Sequence, residues 1–85
     1  MSFRLSSSSS IHLGCKFHAT SGLTIGDFSV LNSNCFIDTR GSITIGQNVS
    51  VSSFVTILTA SHYVESNSFA GFKKPVFIDD YAWIG

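Results

Sequence analysis

Charge, proline and cysteine are all scarce in this sequence, and each shortage excludes a class of protein. Five basic and five acidic residues give a formal net charge of zero, so no basic surface for nucleic acid or an anionic membrane is expected. The single proline excludes a proline-rich linker. Two cysteines are too few for a disulfide framework, which favours a reducing, cytoplasmic location.

Long apolar runs are also missing. No segment approaches the ~20 apolar residues that a membrane-spanning helix needs. Residues 1–10 hold a serine run where a secretory signal would have its apolar core. The sequence therefore predicts a cytoplasmic protein without a membrane span. Its 85 residues suit one small domain, residues 1–85, and many of them are β-branched, which favours strands.

Large apolar residues recur with a period of six. They are Leu5, Ile11, Phe17, Ile25, Leu31, Ile37, Ile45, Val51, Ile57, Ile78 and Ile84. Groups of three such hexads repeat at a constant interval, so that Leu23-Thr24-Ile25-Gly26 returns as Ile43-Thr44-Ile45-Gly46. A period of six fits neither a helix nor a half-buried strand. It predicts a triangular solenoid in which apolar residues of successive coils stack inside, whereas an ordinary β-meander would require these spacings to coincide by chance.

The period is interrupted once, over residues 63–75, which end at Pro75. Insertions into a solenoid emerge at corners and often carry function, so a corner loop is predicted here. Residue types that tolerate tight turns follow the inward positions elsewhere. They are Gly26, Asp27, Asn32, Asn34, Asp38, Gly41, Gly46, Asn48 and Asp79.

Four segments resemble the hexapeptide-repeat acyltransferases. They are Ile25-Gly26-Asp27, Ile45-Gly46-Gln47-Asn48-Val49, Thr59-Ala60-Ser61-His62 and Ile78-Asp79-Asp80-Tyr81-Ala82-Trp83-Ile84-Gly85. The chain looks most like the bacterial sugar and exopolysaccharide O-acetyltransferases of the maltose, galactoside and colanic-acid type. The resemblance implies an all-β fold, a left-handed parallel β-helix of about three and a half coils with one corner loop. It also implies a homotrimer with active sites between subunits.

The same resemblance implies transfer of an acetyl group from acetyl-CoA to a hydroxyl of a sugar or polysaccharide precursor, without a metal. His62 matches the family's catalytic histidine in Thr-x-x-His, and imidazole is a suitable base for a hydroxyl proton. A surface histidine at a corner is the alternative, and an amine acceptor is an alternative to the hydroxyl. A zinc site made of His12, His18 and His62 is not expected, because His62 falls at a different phase of the hexad from His12 and His18.

Three further residues are candidates for substrate binding. Asn32 lies in Asn32-Ser33-Asn34-Cys35, which resembles the family's Asn-x-Asn, and its amide can donate to and accept from a sugar hydroxyl. Asp38 is expected to face the same groove between subunits as Asn32, although its register departs from that of the family's carboxylate. Trp83 matches the family's Trp-Ile-Gly and is expected beside the acyl or acceptor site. A turn residue at Asn32 and plain packing at Trp83 are the alternatives.

The chain stops in the second hexad of a coil, at Gly85. Related enzymes continue for several coils, which supply most of the coenzyme A groove, so we expect a chain truncated at its C-terminus. The alternative to an acetyltransferase is then a non-catalytic solenoid fragment without that groove. Cys15 and Cys35, at equivalent positions of adjacent coils, are predicted to be small buried side chains rather than a disulfide.

Overall fold

The computed structural model describes residues 3–62 and 71–85, with the backbone alone at positions 61, 62, 71 and 72. All regular structure in this part of the chain is β-strand, so no helix there could cross a membrane. The strands are β1 (Arg4–Leu5), β2 (Ser10–Ile11), β3 (Lys16–His18), β4 (Leu23–Ile25), β5 (Val30–Leu31), β6 (Phe36–Asp38), β7 (Ile43–Ile45), β8 (Ser50–Val51), β9 (Thr56–Ile57), β10 (Ala60–His62), β11 (Gly71–Lys73), β12 (Val76–Ile78) and β13 (Trp83–Ile84). The predicted all-β class is confirmed.

Three parallel sheets take their strands from the chain in rotation. The first sheet has the order β1-β4-β7-β12, the second β2-β5-β8-β13 and the third β3-β6-β9. One passage of the chain through the three sheets is called a coil below. Strand partners are equivalent residues of successive coils, as in the pairs Leu23↔Ile43 and Leu31↔Val51. The interval at which the hexad groups repeat in the sequence is therefore the register of the sheets.

The core lies between the three sheets and consists of the inward residues of the hexads. Its buried apolar members are Leu23, Ile25, Leu31, Cys35, Ile37, Ile43, Ile45, Val49, Val51 and Ile78. Burial of each large aliphatic side chain contributes roughly 1.5–3 kcal/mol relative to exposure. Leu5 was expected inside but is half-exposed, because β1 pairs on one side only among the strands of residues 3–62 and 71–85. Phe3 packs beside this coil, with its ring centroid 5.0 Å from that of Phe17.

The corners require left-handed backbone at equivalent positions of successive coils. Non-glycine residues with positive φ in the described chain are Ala19, Phe28, Asn34, Ser42, Asn48, Phe54 and Tyr81. Gly14, Asn34 and Phe54 occupy the same corner in three successive coils. Glycine and asparagine tolerate this conformation readily, whereas an aromatic residue does so at a cost. The sequence pattern did not predict aromatic residues at these corners.

A two-stranded ribbon leaves the corner that follows the third sheet. Strands β10 and β11 pair antiparallel, with Ala60 opposite Lys73 and His62 opposite Gly71. The ribbon thus begins before the predicted loop of residues 63–75, and β11 lies within that stretch; positions 63–70 lie outside the described residues. The chain then rejoins the first sheet, where Val76 pairs with Ile43.

Candidate functional site

A buried carboxylate lies at the corner from which the ribbon leaves. Asp38, the last residue of β6, has a side chain that is 0% exposed. Its Oδ2 accepts hydrogen bonds from the backbone N–H groups of Thr59 and Ala60, each at 3.1 Å. Arg40 donates its backbone N–H and its Nε–H to Oδ1, at 3.1 and 2.8 Å, and Nη2 to Oδ2 at 3.0 Å. Every group that these bonds bring to the carboxylate is a donor.

The charge of Asp38 is stabilised by these donors. The Arg40 side chain, together with the backbone N–H groups of Arg40 and Thr59, holds the pKa of Asp38 well below its usual range, although burial opposes the shift. The carboxylate in turn raises the pKa of Arg40. A buried carboxylate without such partners would be costly, whereas this one is paired and hydrogen-bonded. Asp38 is therefore ionised at neutral pH and has no proton to exchange with a substrate there.

Thr59 ties both strands of the ribbon to the same corner. Its Oγ1 donates to the Asp38 carbonyl and accepts from the Gly41 N–H, both at 2.8 Å. Its carbonyl accepts the N–H of Lys74, which follows β11, at 2.8 Å. A Cβ on Gly41 would lie 2.7 Å from the Lys74 carbonyl oxygen and 2.9 Å from that of Thr59, so only glycine fits. We call these residues (38–41, 59–60 and 74) the ribbon base.

His62, the predicted base, stands on the strand that the ribbon base anchors. Its backbone pairs with Gly71 in the ribbon, two residues after Ala60. Its imidazole lies outside the described part of the structure, and the role of His62 stays a prediction.

The three predicted substrate-binding residues fall into two places. Asn32 lies at the corner after β5, where its Nδ2 donates to the Val51 carbonyl at 2.8 Å and its side chain is half-buried. Trp83 lies on the same second sheet, 78% exposed, and its indole N–H donates to Ser52 Oγ at 3.2 Å. Ser52 occupies, one coil on, the position that Asn32 occupies in its own coil. These two residues therefore share one side of the molecule.

Asp38 lies elsewhere, at the ribbon base, and it does not face a groove as the sequence reasoning expected. Its carboxylate is inside the chain and binds the chain's own backbone and Arg40. The physical reason is that the chain departs from the third sheet after β9. The N–H groups of Thr59 and Ala60 then lack a strand partner and donate to Asp38 of the preceding coil. Within one chain, the structure joins Asp38 to the His62 strand and leaves Asn32 and Trp83 at another side.

The cysteines are free thiols in adjacent coils. Cys35 Sγ donates to the Ser52 carbonyl and Cys15 Sγ to the Asn32 carbonyl, both at 3.1 Å. Burial raises the pKa of the Cys35 thiol, so this group is poorly suited to act as a thiolate nucleophile. Among the described residues, no cluster of three or more histidine, cysteine or acidic side chains is arranged to hold a metal.

Sequence reasoning missed Thr59, Arg40 and Gly41 as builders of the site. A signal was present in the repeat, because Thr39 and Thr59 keep the same register and residues near 38 must therefore lie beside residues near 59. The hydrogen-bond partners of a buried carboxylate, however, depend on side-chain rotamers, which the spacing of the repeat does not predict. Thr39 itself is buried, and its hydroxyl has no hydrogen-bond partner among the described residues.

No protein-family model, curated protein or solved structure matches this chain.

Proposed function

We propose that this chain belongs to an O-acetyltransferase that moves an acetyl group from acetyl-CoA to a hydroxyl of a sugar or polysaccharide precursor. One observation carries the proposal: the segment Thr59-Ala60-Ser61-His62, which holds the resemblance to the family's catalytic segment, is anchored at a buried corner by Asp38. A general base works only if it is held within hydrogen-bond reach of its proton, and anchoring of its strand serves that requirement.

We also infer that the three sheets form the left-handed β-helix that the resemblance implies. The constant register from coil to coil, the short strands and the core between three parallel sheets are compatible with it. The handedness comes from the resemblance alone, since crossover connections between parallel strands are usually right-handed.

In the proposed reaction, the imidazole of His62 removes the proton from the acceptor hydroxyl. The acceptor oxygen attacks the thioester carbonyl of acetyl-CoA, and the carbon–sulfur bond breaks when the tetrahedral intermediate collapses. The imidazolium then returns its proton to the departing thiolate of coenzyme A. The products are the acetyl ester and free coenzyme A, and no redox step or metal is required.

The separation of the candidates supports a homotrimer as part of the proposal. Trp83 lies in the second sheet and Asn32 at the corner that follows it, whereas the ribbon that carries His62 leaves the corner after the third sheet. An active site that uses both sides would take them from two copies of the chain. An active site between subunits, as the resemblance implies, provides that arrangement.

Replacement of His62 by alanine in the full-length protein tests the function. Loss of a general base costs roughly a hundredfold to ten-thousandfold in rate. Release of coenzyme A thiol from acetyl-CoA in the presence of sugar acceptors is the measurement. The control is His18→Ala, which removes an exposed histidine of β3 and should leave the rate unchanged. Full turnover by His62→Ala would remove His62 from the mechanism.

Binding of coenzyme A separates this proposal from the non-catalytic fragment. Titration calorimetry with acetyl-CoA should give saturable binding by the enzyme. No binding at millimolar acetyl-CoA by the full-length protein would favour the non-catalytic alternative.

A further inference from the structure

We propose that Asp38 is a positioning residue for His62: its carboxylate fixes the backbone of Thr59 and Ala60, and with it the strand that carries His62, without meeting substrate. This inference rests on the proposed function, because it assigns Asp38 a part in the use of His62 as a base.

The need for an acceptor at this point follows from the path of the chain. Parallel pairing within the third sheet ends at Ile57, opposite Ile37, and the ribbon begins at Ala60. Between them, the N–H groups of Thr59 and Ala60 face inward, and a buried N–H without an acceptor destabilises the folded chain. A single carboxylate oxygen, Oδ2 of Asp38, accepts from both.

The charge is required as well as the shape. Oδ1 receives two hydrogen bonds from Arg40, and Oδ2 receives a third from Arg40 in addition to those from Thr59 and Ala60. An asparagine at position 38 would have to turn its NH₂ group either toward Arg40 or toward the two backbone N–H groups. Donors would meet donors in both orientations, so the isosteric amide cannot replace the carboxylate.

The rest of the ribbon base explains how this reaches His62. The Asp38 carbonyl accepts from Thr59 Oγ1, and the Thr59 carbonyl accepts from the N–H of Lys74, the residue that follows the returning strand β11. Both strands of the ribbon are thus attached to the residue that holds the carboxylate. Removal of the charge frees the start of β10, and a displacement of about 1 Å at a catalytic group costs up to roughly a hundredfold in rate.

The first test is Asp38→Asn in the full-length protein. We expect kcat to fall roughly ten- to a hundredfold while KM for acetyl-CoA is unchanged, since substrate is not contacted. The matched control is Asp80→Asn. Asp80 Oδ1 also accepts a backbone N–H from the adjacent coil, that of Gln47 at 2.8 Å, but on an exposed corner away from the ribbon. An equal loss in both variants would overturn the proposal.

A double-mutant cycle shows whether Asp38 acts through His62. In a His62→Ala background, Asp38→Asn should have no further effect on the residual rate, because the group that it positions is gone. The same fold-loss in both backgrounds would overturn the positioning role. Full turnover by His62→Ala would instead overturn the proposed function, so the two failures are distinguishable.

Amide hydrogen exchange in the unmutated protein tests the anchoring even if Asp38→Asn does not fold. The N–H groups of Thr59 and Ala60 donate to a buried carboxylate. They should therefore exchange as slowly as the N–H groups of core strand residues such as Ile45. Exchange at the rate of an exposed amide would overturn the proposal.

Discussion

Asp38 illustrates what one buried charge requires of its surroundings. Arg40 supplies the countercharge from two residues away, and the backbone supplies the remaining donors. Charge-assisted hydrogen bonds are stronger than neutral ones, so the network rigidifies the corner while the carboxylate stays ionised.

The depressed pKa of Asp38 makes part of the protein's stability depend on pH. An unfolded aspartate has a pKa of about 3.9, which lies above the folded pKa. Above that value both states are ionised and the contribution is fully present. As the pH falls below the unfolded pKa, Asp38 is protonated in the unfolded chain but stays ionised in the folded chain. The free energy of unfolding therefore decreases until the folded pKa is passed.

Urea unfolding at pH 7 and at several values below 4 measures this effect. Asp38→Asn should be less stable than the parent at pH 7 and should lose the part of the acid dependence that Asp38 supplies. The same acid dependence in variant and parent would assign it to other carboxylates.

A second prediction at this scale concerns Phe54. Its φ is 64° and its side chain is 76% exposed, whereas Gly14 and Asn34 fill the same corner in the two preceding coils. A non-glycine residue in this conformation costs roughly 1–2 kcal/mol, and asparagine tolerates it better than phenylalanine. Phe54→Asn should therefore raise the free energy of unfolding by up to about 1 kcal/mol, part of the cost of the left-handed conformation.

Thermal and urea unfolding of Phe54→Asn provide the measurement. The control is Phe36→Asn, which changes an exposed phenylalanine in strand β6, where β-propensity favours the aromatic residue, so a loss of stability is expected. Stabilisation by both variants would point to surface hydrophobicity rather than backbone conformation.

At the scale of elements, strands and ribbon differ in how far the sequence predicts them. The hexad period predicted the strands and their register from coil to coil, since equivalent inward positions lie side by side, as Ile37 and Ile57 show by pairing. The sequence of the ribbon has no hexad period. Its position is determined instead by contacts at the ribbon base, which the period does not predict. The role of Asp38 could not be predicted without the hydrogen-bond partners of its carboxylate. The strand register limits which residues can be these partners but does not identify them.

Gly41→Ala should loosen the ribbon without touching the core. The added Cβ would lie 2.7 Å from the Lys74 carbonyl oxygen, and a backbone neighbour cannot move aside as a side chain does. Overpacking of this kind costs roughly 1–3 kcal/mol. Amide exchange should accelerate at Lys74, which donates to Thr59, and stay slow at Ile45 in the sheets. Uniform acceleration would mean that the whole fold, rather than the ribbon, is destabilised.

At the scale of the molecule, the coils share one core, but they do not contribute equally. A middle coil is covered on both sides, and its residues, such as Ile37, are 0% exposed, whereas Ile11 in the first described coil is half-buried. In stacked repeats, stability is close to a sum of contributions from each coil and from its interfaces with neighbouring coils.

Ile37→Ala should therefore cost more than the chemically identical change at Ile11. Alanine at a fully buried isoleucine costs roughly 2–5 kcal/mol, and less where the site is already open to solvent. Urea unfolding with an unchanged slope in both variants is the measurement. An equal cost at the two positions would show that Ile11 is covered in solution by a further contact.

The pairing of the first sheet also bears on how such a molecule can be altered. Ile25 pairs with Ile45, and Ile45 pairs with Ile78 in the same parallel register, although the chain is much longer between the second two. The longer connection between β7 and β12 therefore leaves the register of the first sheet unchanged. Since each doubling of a flexible loop costs only about 0.6 kcal/mol, this corner is a grafting point at which segments of other lengths and sequences can be installed. Such exchange would give one scaffold many different surfaces, provided that the grafted ends meet the carboxylate and glycine that receive them.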